Sequence, residues 1–304
     1  MDPTAVWFGG GSWAAAWSAG VLSGLRWKWG DETVACWKAG GASAGACIAL
    51  GMLLEKTDHE FLTFFHVLAD RARRRGVIGK MGTYTNEFLR DWLPENGDEY
   101  ERLNGRLFVA ITRFPYGMEI LSHWTSNREL RNTMNASMCI PFYCNNEVLP
   151  VNNHWAVDGC LSTDTNTIDP GTTIKVTIDL TNSEANIMAS GLTPLDVLFP
   201  GADERILLNF DQGRTQGMEW EPWERVPGGR LLNTFKSTLN STARVYVASL
   251  ARCARLLEIA LTRSGLIWWY ETLSYDVEAH RLKPKATWTR KKGDRFTRRT
   301  SMAM

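Results

Sequence analysis

Apolar residues in this chain fall into short runs closed by glycine turns, and the first two runs set the expected architecture. Residues 4–8 (TAVWF) are a continuous apolar stretch, which predicts a buried strand, and they lead into Gly9, Gly10 and Gly11. The small-residue pattern SWAAAWSAGVLSGL follows and predicts a helix. Asp31 and Glu32 then open a second predicted strand, VACWKAG, which ends in GASAG and passes into the apolar helix AGACIALGMLLEK. Strand, glycine turn and helix thus occur twice in succession.

The pattern continues in the same vein. Residues 58–76 predict a surface helix, with Asp58 as N-cap and a basic last turn before Gly76, as the helix dipole favours. Residues 84–93 predict another helix, GRLFVAITRF (105–114) a core strand, and 127–140 a helix leading into MCIPFYC. A loop and a short strand should then carry the chain to Asp158, and TTIKVTIDL reads as a further strand. Strands alternating with helices predict a three-layer α/β fold around a mostly parallel sheet. Beyond about residue 200, GADERILLNFDQGRTQGMEW predicts a helix with a polar face, and 221–230 is turn-rich and linker-like. The expected organisation is one domain over 4–215 and a C-terminal helical and basic extension over 216–304.

Composition narrows the class. Hydrophobic residues make up 44% and charged residues 22% of the chain, as in a soluble globular protein, and the formal net charge of +1 argues against binding nucleic acid. The six cysteines sit mostly in apolar runs without CxxC spacing, which predicts buried, reduced thiols. The amino terminus has no basic region ahead of an apolar one, so no secretory signal is expected. No run approaches the ~18–20 apolar residues of a spanning helix. A cytoplasmic protein with at most peripheral membrane contact is the expectation.

The chemistry-bearing motif is Gly41-Ala42-Ser43-Ala44-Gly45, a G-x-S-x-G between a predicted strand and a predicted helix. A serine on such a turn stands above the sheet edge, its neighbours Gly41 and Gly45 must be small, and the helix N-terminus favours negative charge. The alternative is a small-residue turn that merely packs a helix on a sheet. Clustered glycines at 9–11, followed by Ser12, supply backbone N–H groups suited to an oxyanion. Gly9-x-Gly11-x-x-Ala14 also fits a dinucleotide fingerprint, with Asp31 about twenty residues on. That reading fails because Asp31 precedes the second strand, where the fingerprint needs its acid at the strand's end. An α/β-hydrolase triad fails on chain order, since the only histidine after Asp158 is His280, in the basic tail. His154, four residues before Asp158, reads as a structural or partly exposed histidine.

GASAGA at 41–46, the helix end RARRRGVIG, the strand GRLFVAITR, SMCIPFY at 137–143 and AVDG at 156–159 together resemble the patatin-like phospholipase family. Within it, the chain looks closest to the adiponutrin and adipose triglyceride lipase branch. The resemblance spans about residues 6–180 and implies a patatin-like fold and a Ser-Asp dyad. Ser43 would then form the acyl-enzyme, and Asp158 would take its proton and later activate water. The family's oxyanion loop maps onto Gly10, Gly11 and Ser12. The chain departs from the family in having Ser12 and Ala15 where further glycines are usual, Ala14 where many members carry a basic residue, and Cys160 where a second glycine follows Asp-Gly.

The resemblance implies hydrolysis of carboxylic esters in glycerolipids with no metal or cofactor. An acyl transferase using the same dyad and a catalytically weak lipid-binding relative are the alternatives. Residues 242–263 place Arg244, Arg252, Arg255 and Arg263 opposite Leu250, Cys253, Leu257 and Leu261 at helical spacing. GLIWWY and a basic tail follow, so an anchor to a membrane or lipid-droplet surface and an ordinary core-packed helix are both open readings.

Overall fold

The computed structural model describes residues 2–222, except 114–116, 142, 145–148, 153, 163–164, 179–184, 190–191 and 193, together with two strands near the C-terminus. Strand β1 (Ala5–Phe8) leads through a glycine loop and a 3-10 turn at Ser12–Ala14 into helix α1 (Ala15–Trp29). The second strand differs from expectation at its start. Asp31–Ala35 forms a short helix, α2, and strand β2 is Lys38–Ala42. Gly30, with φ of 86°, ends α1, and the acidic pair Asp31 and Glu32 then sits in the first turn of α2, where the dipole favours it. Helix α3 (Ala44–Leu53) starts directly after Ser43.

Helix α4 (Asp58–Arg75) is capped by Thr57 rather than Asp58, because Thr57 and Glu60 form a reciprocal capping box. Helices α5 (Met81–Trp92) and α6 (Glu99–Leu103) precede strand β3 (Leu107–Arg113). Strand β4 (Gly117–Leu121), which the apolar pattern did not predict, folds back on β3 as an antiparallel partner. Helix α7 (Asn127–Ser137), strands β5 (Leu149–Val151) and β6 (His154–Asp158), and strands β7 (Thr173–Thr177) and β8 (Ile187–Met188) follow. The unit closes with α8 (Pro194–Leu198) and α9 (Asp203–Glu219).

The strands form one sheet in the order β5-β6-β3-β2-β1-β7-β8, with β4 also paired to β3. Pairings β1–β2, β1–β7, β2–β3 and β7–β8 are parallel, and those involving β4, β5 and β6 are antiparallel. The sheet is mostly parallel, as expected of an α/β fold. Residues alternate across it: Val6 and Phe8 join the main core with α1, α3, α4 and α5, while Trp7 packs on the other face with Ala42 and Ala110.

Helices α1 and α9 touch backbone to backbone. A Cβ on Gly20 would lie 2.0 Å from the Phe210 carbonyl oxygen, and one on Gly213 would lie 2.0 Å from that of Trp17. Only glycine permits this approach. Trp17 Nε1 donates to Gln216 Oε1 at 2.6 Å across the same seam. Among the described residues no helix is long and apolar enough to cross a membrane.

The near-C-terminal strands, β9 (Ala286–Thr289) and β10 (Thr297–Thr300), form an antiparallel pair in a separate unit. The amphipathic stretch 242–263 and the GLIWWY segment lie outside the described residues.

Candidate active site

Strand β3 explains why two distant residues meet. Its outer edge is covered from Val109 to Arg113 by β4. Its other edge pairs with β2 as far as Ala42 opposite Ala110, and from the next position, Ile111, with β6, beginning at Asp158. A strand has only two edges, so β2 and β6 share one, end to end. Ser43 leaves the end of β2 just where Asp158 ends β6.

Ser43 has φ 55° and ψ −132°, a left-handed conformation rare for any residue but glycine. The surroundings hold it there. Its N–H donates to Ser137 Oγ at 3.0 Å, and Ser137 in turn donates to the Ala110 carbonyl at 2.7 Å. Ser137, fully buried at the end of α7, was not singled out by sequence reasoning, although it opens the SMCIPFY segment. Gly41 and Gly45 are tightly enclosed by backbone. A Cβ on Gly41 would sit 2.5 Å from the Gly45 carbonyl carbon, and one on Gly45 would sit 2.2 Å from the Phe8 oxygen and 2.4 Å from the Gly9 oxygen.

Asp158 is 1% exposed. Its N–H donates to the Cys139 carbonyl at 2.9 Å, its own carbonyl accepts from Thr112 Oγ1 at 2.8 Å, and Oδ1 accepts from the Cys160 N–H at 2.9 Å. Burial pushes its carboxyl up to about 6, against the opposing pull of the Ser43 hydroxyl and of the Cys160 N–H and thiol. Oδ2 is buried and completes no hydrogen bond among the described residues. The Ser43 hydroxyl thus lies close enough to the carboxylate to favour its charged form.

The glycine loop borders both groups. A Cβ on Gly10 would lie 3.0 Å from Ser43 Cβ and 2.1 Å from Cys160 Sγ, and one on Gly11 would lie 3.1 Å from Ile178. Ser12 follows with φ 47°, again in the left-handed region. His154 stands at the far end of β6, roughly 13 Å along the strand from Asp158 at ~3.3 Å per residue. It is not part of this cluster.

Ser12 and Ser43 are among the residues that line a small cleft. Its walls are apolar, with Phe65, Leu68, Met81 and Met138 among them. Two thiols also line it. Burial pushes Cys47 up to about 12, and contact with Cys139 together with burial pushes Cys144 well above the thiol range, so both remain protonated and poorly nucleophilic. No carboxylate is among the described residues that line the cleft, and Asp158 adjoins it through Ser43. No group of three or more potential metal ligands occurs among the described residues either.

The chain is similar to the crystal structure of VipD from Legionella pneumophila, at 13% identity and a TM-score of 0.35, over 58% of this chain and 50% of that one. It therefore spans half the length of that protein. No curated protein sequence matches it. Residues 6–170 match the patatin-like phospholipase family, a stretch that contains the glycine loop, Ser43, Ser137 and Asp158. That match covers more than half of the 304 residues, and the chain belongs to the patatin-like phospholipase family.

Proposed function

We propose that this chain is a lipid acyl hydrolase, of phospholipase A or acylglycerol lipase type, acting through Ser43 and Asp158. The observation that carries this reading is the left-handed Ser43 beside a buried carboxylate raised to about 6, in the lining of an apolar cleft. A general base is most effective when its pKa lies near the working pH, and burial brings Asp158 into that range. The apolar walls suit an acyl chain.

In the proposed reaction Ser43 Oγ attacks the ester carbonyl carbon while Asp158 takes its proton. The N–H groups of Gly10, Gly11 and Ser12, with the N-terminus of α3, stabilise the oxyanion. Collapse breaks the bond to the alcohol, which leaves with the proton from Asp158. Water, deprotonated by Asp158, then attacks the acyl-enzyme; the bond to Ser43 Oγ breaks, Asp158 returns the proton to that oxygen, and the fatty acid leaves. Assignment to the adiponutrin and adipose triglyceride lipase branch, and action at a membrane or lipid-droplet surface, are parts of the same proposal.

Incubation with phosphatidylcholine, triacylglycerol and monoacylglycerol, with fluorophosphonate labelling alongside, tests it. Fatty acid release and labelling that both disappear in Ser43→Ala are expected. A folded wild-type chain that releases no fatty acid and takes no label removes the proposal. Adding an acylglycerol acceptor separates transfer to an alcohol from transfer to water.

A further inference from the structure

Ser12 holds a conformation that favours glycine, with φ 47°, at the position that ends the glycine loop. A serine stays there only if the surroundings hold it. The hydroxyl of Tyr143, which reaches the loop from the segment after α7 and is 6% exposed, lies 3.4 Å from that of Ser12. A phenol has one proton to give. Tyr143 donates it to the Leu198 carbonyl at 2.8 Å. Its oxygen therefore accepts from Trp13 Nε1 at 2.9 Å and, at a longer 3.4 Å, from the Ser12 hydroxyl.

One buried oxygen thus ties the 3-10 turn after the glycine loop to the last residue of α8. Helix α8 is fixed in turn, because Asp196 accepts from Arg205 of α9 through both carboxylate oxygens, at 2.7 and 2.8 Å. A bidentate pair of this kind fixes orientation as well as distance.

We infer that the Tyr143 hydroxyl is a positioning group for the oxyanion loop: it holds Ser12 in its left-handed conformation and so keeps the aim of the loop's N–H groups. This rests on the proposed hydrolase reading. With its hydroxyl proton engaged by Tyr143, Ser12 offers an oxyanion its backbone N–H alone. The serine is therefore accommodated by a specific partner rather than tolerated as a defect.

The test is steady-state hydrolysis of p-nitrophenyl butyrate by the full chain, comparing wild type, Tyr143→Phe, Ser12→Gly and the double variant. Losing an oxyanion donor outright lowers kcat roughly 100- to 1,000-fold, and a loosened loop retains part of that, so Tyr143→Phe should lower kcat about 10-fold with KM changed less than about twofold. In the Ser12→Gly background, where no strained residue needs holding, the same change should lower kcat by less than about threefold. Ser12→Ala keeps the Trp13 and Leu198 contacts, so it serves even if Tyr143→Phe does not fold. It should have a kcat below those of both wild type and Ser12→Gly. Equal losses in the two backgrounds, a Tyr143→Phe effect confined to KM, or Ser12→Ala equal to wild type would each overturn the inference. A wild-type chain without hydrolysis or fluorophosphonate labelling overturns the hydrolase reading and this inference with it, whereas an active, labelled wild type matched by Tyr143→Phe removes only the inference.

Discussion

Ser43 and Asp158 meet because their strands share one edge of β3, β2 stopping at Ala42 opposite Ala110 and β6 taking over at Asp158 opposite Ile111. Their proximity is a property of strand register, so it is set by backbone hydrogen bonds rather than by side-chain contacts. Variants at either residue should therefore leave the fold intact. Ser43→Ala and Asp158→Asn are expected to lower kcat roughly 1,000-fold or more, while His154→Ala, at the other end of β6, stays within about threefold of wild type. Comparable losses in all three variants, measured on folded protein, would rule out a two-residue site.

In the proposed mechanism Asp158 also sets the pH response. Its carboxyl must be ionised to take a proton, so kcat/KM should rise with pH through about 6 and level off above it. A pH profile that is flat between 5 and 8 would contradict its role as base.

Stability should respond in the opposite sense. The folded value of about 6 lies above the ordinary 3.8, so the folded state binds the proton more tightly and loses stability as pH rises from about 4 to about 6. The buried charge costs on the order of 3 kcal/mol above that window. Asp158→Asn should accordingly unfold at a higher temperature than wild type at pH 8, with the gap closing toward pH 4. Calorimetry at the two pH values checks it, and a variant less stable at pH 8 would count against it.

Gly45→Ala should be more damaging than its size suggests. The added carbon would meet the Phe8 and Gly9 carbonyl oxygens, which belong to the backbone and have no rotamer to escape into. Overpacking of this kind typically costs roughly 1–3 kcal/mol. Because those oxygens begin the glycine loop, activity per folded molecule should fall as well. Urea midpoints and turnover on the folded fraction measure the two effects separately.

Narrowing the cleft should change which esters are cut. Leu68 lies in its apolar wall and is 4% exposed. Leu68→Trp should shift preference toward shorter acyl chains, read as the ratio of kcat/KM for butyrate and palmitate p-nitrophenyl esters. An unchanged ratio would place the acyl chain elsewhere.

The parts of the site visible in the sequence are those whose chemistry is local. G-x-S-x-G marks its own turn because the crowding at Gly41 and Gly45 arises within five residues, whereas Asp158 is drawn from the family resemblance that AVDG at 156–159 helps to carry. The second strand is expected to start at Val34 because Val34 and Trp37 are apolar in either setting, and the five-residue helix α2 leaves too short a period to detect. Ser137 and Tyr143 escaped because their roles depend on partners 27 to 131 residues away. The glycine pairs 20/24 and 213/217 are plain in the sequence, but what they pack against is fixed only by the tertiary fold.

Those glycines have a bearing on where the domain ends. The family match stops at 170, yet α1, inside it, lies bare backbone to bare backbone against α9 at 203–219. A fragment cut at the family boundary would carry a groove along α1 shaped for a missing helix, with Trp17 exposed beside it. The matched stretch and the packed unit thus end at different places, and an expression fragment designed on the first would begin life as an incomplete solid.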